Sequence, residues 1–274
     1  MTTPAANDVL QVREEAGVAW LTLHRPERLN ALDDTLVLAL RQYFQGLTLQ
    51  SSARVVVLRG AGRAFCAGLD LRDVDLDRIP DAATMLQRQR GIRDIMVAMR
   101  RCPQPIVSLV QGAASGGGFA LALASDIRLA TPDARMNAAF IRIGLSACDV
   151  GVSYFLPRMV GSSVAAEYLL TGRFIDAQRA QQLGLVSRVG PMDEIEAEAR
   201  SLCADMLRAT PLGLALTKDA LGHAVDAASL EAAMALEDRN QVLCTQTPDF
   251  QEGVRAFLER REPRYGASSP SSLP

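Results

Sequence analysis

Two short stretches combine residue types suited to holding a developing negative charge. Gln111 to Ser125 reads QGAASGGGFALALAS, and Ala61 to Asp70 reads AGRAFCAGLD. Each follows a short apolar run of strand type, Pro105 to Val110 in the first case and Val55 to Arg59 in the second. Each then turns on glycine. Gly116, Gly117 and Gly118 allow backbone conformations that a side chain forbids, and they let the backbone come very close to a bound atom. Phe119 to Ala124 has helical composition and little polarity, which predicts a buried helix. A helix start leaves N–H groups without partners and carries roughly half a positive charge. Two such corners, each presenting one backbone N–H, can grip a single oxygen between them, and this is how an oxyanion hole is built. The same residues also fit two tight strand-to-helix turns with no chemistry.

FCAGLD followed at a distance by GAASGGG resembles the crotonase superfamily, the enoyl-CoA hydratases and isomerases. HRPERLNAL, TGRFIDAQRAQQLGLVSRV and VRAFLERREPRY resemble further stretches of that family, in the family's order, over roughly residues 10 to 265. The resemblance implies an α/β fold, a spiral of strand-strand-helix units with a C-terminal helical region that packs trimers. It implies an acyl-CoA substrate whose thioester carbonyl becomes an enolate oxygen. Leu69 and Gly117 then supply the two N–H donors of the oxyanion hole. Ala67, Gly68, Asp70, Gly116 and Phe140 are placed beside the substrate. Arg25, Arg28 and Arg63 are candidates for the CoA phosphates. Phe257 and Arg260 are candidates for a CoA contact across a subunit interface. Each arginine taken alone also fits a solvated surface charge.

The chain departs from the hydratase pattern where protons would move. Hydratases of this family use one glutamate just after the triple glycine and another in a PE pair after the following strand; those positions are Ala120 and Phe140 here. Neither residue can orient water or exchange a proton. One acid remains, Asp149 in GLSACDVG, eight residues before Pro157. Some isomerases of the superfamily carry an aspartate in that loop, although Gly144 to Asp149 is one residue longer here. A single carboxylate can take a proton from one carbon and return it two carbons away, which shifts a double bond without activated water. Asp149 also fits a helix cap before Gly151-Val152-Ser153. Isomerisation is the favoured expectation. Hydration by a relocated acid and a non-catalytic acyl-CoA-binding protein are the alternatives.

Elements must hold these residues in place. Val9 to Glu14 and Val18 to Leu23 read as a hairpin turning at Ala16-Gly17. Leu36, Leu40, Phe44 and Leu47 fall on one face of a helix. Thr84 to Arg101 reads as a second helix, and Ser153 to Val160 and Ser162 to Leu170 as a pair divided at Gly161. Four helical stretches without strands follow from Asp193. The expected division is a core with the acyl-CoA site over 1–192, a helical oligomerisation region over 193–265 and a flexible tail over 266–274.

Composition narrows the remaining possibilities. The chain has 274 residues, 49% hydrophobic and 22% charged, as in ordinary globular domains. A net charge of −2 gives no broad basic face for nucleic acid. The apolar runs are far shorter than the ~20 residues needed to span a bilayer, and residues 1 to 8 lack signal-peptide character, so a cytoplasmic location with no membrane association is expected. The two histidines, His24 and His223, lack metal-ligand spacing, and the glycines are not a dinucleotide fingerprint. No metal or cofactor is expected beyond the coenzyme A of the thioester. The five cysteines show no CxxC pair and read as free thiols. Lys218 is the only lysine, which leaves Schiff-base chemistry one candidate in an apparent helix.

Overall fold

The structure is a computed structural model that describes residues 6–265; the expected tail at 266–274 lies outside the described residues. In chain order the elements are α1 (Ala6–Val9), β1 (Leu10–Glu15), β2 (Val18–Leu23), α2 (Asp34–Gly46), β3 (Val55–Gly60), α3 (Ala82–Arg101), β4 (Ile106–Val110), β5 (Ala113–Ser115), α4 (Gly117–Ala124), β6 (Ile127–Ala130) and β7 (Arg135–Asn137). Then come α5 (Val152–Val160), α6 (Ser162–Thr171), β8 (Ile175–Asp176), α7 (Ala177–Gln182), β9 (Arg188–Val189), α8 (Met192–Leu207), α9 (Pro211–Ala224), α10 (Leu230–Thr245) and α11 (Pro248–Glu259).

Six strands form one sheet in the order β1-β2-β3-β4-β6-β9, parallel throughout except for the β1–β2 hairpin. A smaller sheet has the order β5-β7-β8. Each turn of the chain lays a strand in the large sheet and then a short extended piece in a second layer. After β3 that piece pairs Cys66 with Ala114 and Leu69 with Leu32; after β4 it is β5, and after β6 it is β7. Successive turns of this kind make the crotonase spiral.

The strands β2, β3 and β4 read as continuous apolar runs because both faces of the large sheet are covered. Ala19, Leu21, Leu23, Val56, Leu58, Ile106 and Val110 point to one side, into a core shared with α2, α3 and α4. Val18, Trp20, Val55, Val57, Val107, Leu109 and Leu129 point to the other, where Ile195, Ala199 and Cys203 of α8 cover them. Each fully buried aliphatic side chain contributes on the order of 1.5–3 kcal/mol. Through this packing α8 joins the core of the large sheet.

The helices begin where short polar side chains cap them. Asp33 accepts from Leu36 N at 2.8 Å, Asp81 from Ala83 N and Thr84 N, and Thr210, Ser229 and Thr247 cap α9, α10 and α11 in the same way. Such caps contribute about 0.5–2 kcal/mol each. Lys218 fastens α9 to the core. It is 5% exposed, and its Nζ donates to Met99 O and Gln104 O at 2.8 Å each and sits 3.1 Å from Asp126 Oδ2. That makes it a structural clip, not a nucleophile.

Candidate active site

The Leu69 and Gly117 corners meet where two pieces of the second layer cross. Cys66 N donates to Ala113 O, and Ser115 N donates back to Cys66 O, both at 3.0 Å. Three residues on, Leu32 N donates to Gly68 O at 2.7 Å and Asp70 N to Leu32 O at 3.0 Å. In a parallel bridge the middle residue of such a triplet turns its own N–H away from the partner. The Leu69 N–H is therefore directed away from Leu32. Gly117 opens α4, so its N–H has no carbonyl one turn back to bond.

Two glycines make the crossing tight enough. Gly68 has φ +95°, and a methyl group there would lie 2.8 Å from Ser115 O and 3.5 Å from Gly117 N. At Gly118 a methyl would lie 2.1 Å from Cys66 O. Gly117 and Gly118 are thus the first helical residues of α4, not part of the turn before it, and the helix behind them is buried over its full length. The start of α4 and the Leu69 corner therefore lie side by side, with Gly117 N 3.5 Å from where a Gly68 side chain would begin.

Apolar groups occupy the two positions that carry glutamate in hydratases. Ala120 is fully buried in α4. Phe140 is 9% exposed, and its ring lies 3.4 Å from where a Gly116 side chain would begin.

Asp149 is half-buried in the loop that leads into α5. Its Oδ1 accepts from Val150 N at 2.7 Å and from Gln89 Nε2 of α3, while its carbonyl accepts from Val152 N at 2.8 Å. Val150 has φ +39° and Gly151 φ +92°. Left-handed backbone at a β-branched residue costs on the order of 1–3 kcal/mol and persists only where the surroundings enforce it. Burial pushes the Asp149 carboxyl up from its ordinary value, against the smaller pull of the Val150 N–H and the Gln89 amide. A raised carboxyl is better matched to accepting and returning a proton near neutrality.

The other expected contacts divide. Ala67, Gly68 and Gly116 flank the crossing. Arg25 is not offered to solvent phosphates. It is 8% exposed; its guanidinium bonds Ala31 O and lies 3.1 Å from both Asp33 Oδ2 and Asp70 Oδ2. Asp70 is buried in the same cluster, 3.9 Å from Arg28, and caps the turn that follows it. Both are better described as the brace behind the Leu69 corner than as ligand contacts. Arg63 is exposed on that corner's approach. Phe257 and Arg260 are exposed on and just after α11, which packs against α10, so within one chain the structure does not bring them to the hole.

Two features escaped the sequence reading. One is Gln89; it follows the stripe Ile92, Met96, Met99 back by one turn, a spacing that could have marked it as facing the core's edge. The other is a latch on α5: Arg158 holds both oxygens of Asp226 at 2.8–3.2 Å, and Tyr154 OH donates to Asp226 at 2.9 Å. It ties the α9–α10 connection to the helix that starts at the Asp149 loop. A cavity of about 850 Å³ behind that loop, lined by Met96, Gly151, Tyr154 and Phe155 among others, does not include Leu69 or Gly117. Among the described residues there is no cluster of His, Cys, Asp and Glu able to hold a metal ion, and no helix is long and apolar enough to cross a membrane.

This architecture is shared with known proteins. A family model described as enoyl-CoA hydratase/isomerase matches residues 13–268. The chain is 39% identical over 255 residues to a probable enoyl-CoA hydratase of Mycobacterium bovis, covering 90% of this chain and 89% of the relative. It is 33% identical over 252 residues to the 1,2-epoxyphenylacetyl-CoA isomerase of Escherichia coli, covering 92% and 95%. The crystal structure of a putative enoyl-CoA hydratase from Streptomyces coelicolor superposes with a TM-score of 0.89 at 34% identity, covering 98% of this chain and 97% of that one. With matches over nearly its whole length, the chain belongs to the enoyl-CoA hydratase/isomerase family.

Proposed function

We propose that the protein isomerises the double bond of an enoyl-CoA, with Asp149 carrying the proton. The observation that carries this reading is the meeting of the Leu69 and Gly117 corners, together with Ala120 and Phe140 at the hydratase acid positions. In a 3-enoyl-CoA, Asp149 takes a proton from C2. The C–H electrons delocalise toward the thioester oxygen, where Leu69 N–H and Gly117 N–H stabilise the charge. The same carboxyl then returns the proton to C4, and the double bond ends between C2 and C3. Atoms balance without water, metal or cofactor. One such donor lowers the barrier by on the order of 3–4 kcal/mol. Arg28 and Arg63 are the proposed phosphate contacts.

Self-association belongs to the same reading. Phe257, Leu258, Leu221, Val225 and Leu230 are 83%, 74%, 65%, 66% and 71% exposed, an apolar display on the C-terminal helices that a trimer or hexamer would cover. Sedimentation at micromolar concentration tests it, and a monomer would exclude a CoA contact by Phe257 and Arg260 across subunits.

The names of several relatives favour a second reading, hydration by an acid placed elsewhere. One experiment separates the readings. The protein and Asp149→Asn are incubated with crotonyl-CoA and with a 3-enoyl-CoA, and products are read by mass. Isomerisation leaves the mass unchanged and is lost in the variant. A gain of one water that survives the variant would replace this reading with hydration. Thioester binding without turnover of either substrate would point to a binding protein.

A further inference from the structure

The sequence gives α3 no evident part in the chemistry. Its residues 82–90 are exposed or at most half-buried, and burial begins at Gly91. Ile92, Met96 and Met99 then seat the helix on the core. Gln89 lies on the same face one turn earlier, where that face runs past the edge of the core and meets the Asp149 loop.

The two donors on Asp149 are unevenly placed. Val150 N and Gln89 Nε2 both go to Oδ1, and among the described residues none is recorded on Oδ2. The backbone donor belongs to the loop itself, so it moves with Asp149 and cannot fix the loop against the rest of the protein. Gln89 can, because it stands on a different element. We infer that Gln89 is a positioning residue for Asp149, anchoring Oδ1 to α3 so that Oδ2 is the oxygen that accepts and returns the proton. The inference rests on the proposed role of Asp149.

Chemistry supports the division. A carboxylate with one oxygen held by two N–H donors has its rotation fixed, and its second oxygen keeps the lone pair a transferred proton needs. The amide also suits the cycle because it donates to Oδ1 whether or not Oδ2 is protonated, and it carries no charge of its own. The ionisation of Asp149 is set by burial, the Val150 N–H and this amide. The groups nearest in the chain are Cys148 in the loop, Tyr154 on α5, and Arg88, Arg90 and Arg93 on α3; none is among those causes.

The test uses the full-length protein with a 3-enoyl-CoA and compares Gln89→Met with Gln89→Lys. Gln89→Met keeps the volume and removes the donor. It should lower kcat about tenfold with KM little changed, and move the acid limb of the kcat/KM–pH profile to higher pH by about one pH unit. Gln89→Lys restores a donor and adds a positive charge, so its acid limb should move the other way, to lower pH. A merely structural side chain would not produce shifts of opposite sign. Circular dichroism melts confirm that both variants fold. If both keep the parent's kcat and acid limb while Asp149→Asn is inactive, the positioning role is wrong and the role of Asp149 stands. If Asp149→Asn is itself fully active, the underlying reading fails instead.

Discussion

Replacing Gly118 by alanine should disable the active site far more than it disturbs the fold. The added methyl would sit 2.1 Å from Cys66 O and 2.8 Å from Cys66 C, both backbone atoms that no rotamer change can move. Restoring ordinary contact, about 3.4 Å, requires the Cys66 strand and the start of α4 to part by more than 1 Å. Cys66 O is also the acceptor for Ser115 N, so the displacement acts on the bridge that sets the spacing of the hole. Overpacking of this kind costs about 1–3 kcal/mol of stability, or roughly 2–12 °C in Tm for a chain of this size. A misplacement of about 1 Å between reacting groups can cost roughly 100-fold in rate. The expected result is a folded protein with kcat down about two orders of magnitude, measured on a 3-enoyl-CoA beside a thermal melt. Gly46→Ala is the control, since nothing lies within 4 Å of a methyl there. A Gly118→Ala protein with near-normal kcat would refute the claim that this crossing sets the hole.

Further outcomes follow from the same contacts. Asp149→Asn should be at least as stable as the parent at pH 7. Burial raises this carboxyl in the folded state, so folding binds the proton more tightly, and stability falls as pH rises from the unfolded pKa through the folded one. Melts at pH 4 and pH 7 check it, with any gain vanishing at the lower pH. Lys218→Met leaves the Met99 and Gln104 carbonyls without their donor, while Asp126 keeps Arg100 and the Ile106 N–H; it should cost about 1–3 kcal/mol, seen as a drop in urea midpoint with KM for substrate unchanged. Arg25→Met should likewise lower Tm, by removing the guanidinium that Asp70 and Asp33 share, whereas Arg63→Met should raise KM for the CoA thioester without moving Tm.

Much of the fold could be read from local chemistry. The capped helix starts at Asp33, Asp81, Thr210 and Thr247 are short-range signals, and the apolar runs of β2, β3 and β4 mark a sheet covered on both faces. The two glycine corners could be read because two backbone segments can approach this closely only where Gly68 and Gly118 carry no side chain. What could not be read depends on partners far apart in the chain. Nothing around Arg25 reveals that Asp70 lies 3.1 Å from it, so an inward brace looked like a surface charge. Gln89 needs Asp149, 60 residues away, to acquire a role. Lys218 sits in a helix where a lysine normally faces water, and its burial is explained by the carbonyls at Met99 and Gln104 and the carboxylate of Asp126, all far away in the chain. The strands β8 and β9 are two residues each, too short to carry a periodicity.

The donors of the proposed hole are main-chain atoms, and this shapes how such a protein can change over generations. No substitution at Leu69 short of proline deletes its N–H, so that half of the charge-stabilising machinery passes intact through mutations that alter every side chain around it. The proton-handling groups have no such protection. Positions 120, 140 and 149 stand on α4, on the turn after β7 and in the loop before α5, on separate elements and outside the Leu69–Leu32 and Cys66–Ala114 bridges. An ancestral chain could therefore exchange one enolate reaction for another in small steps, keeping throughout the part that is hardest to reinvent.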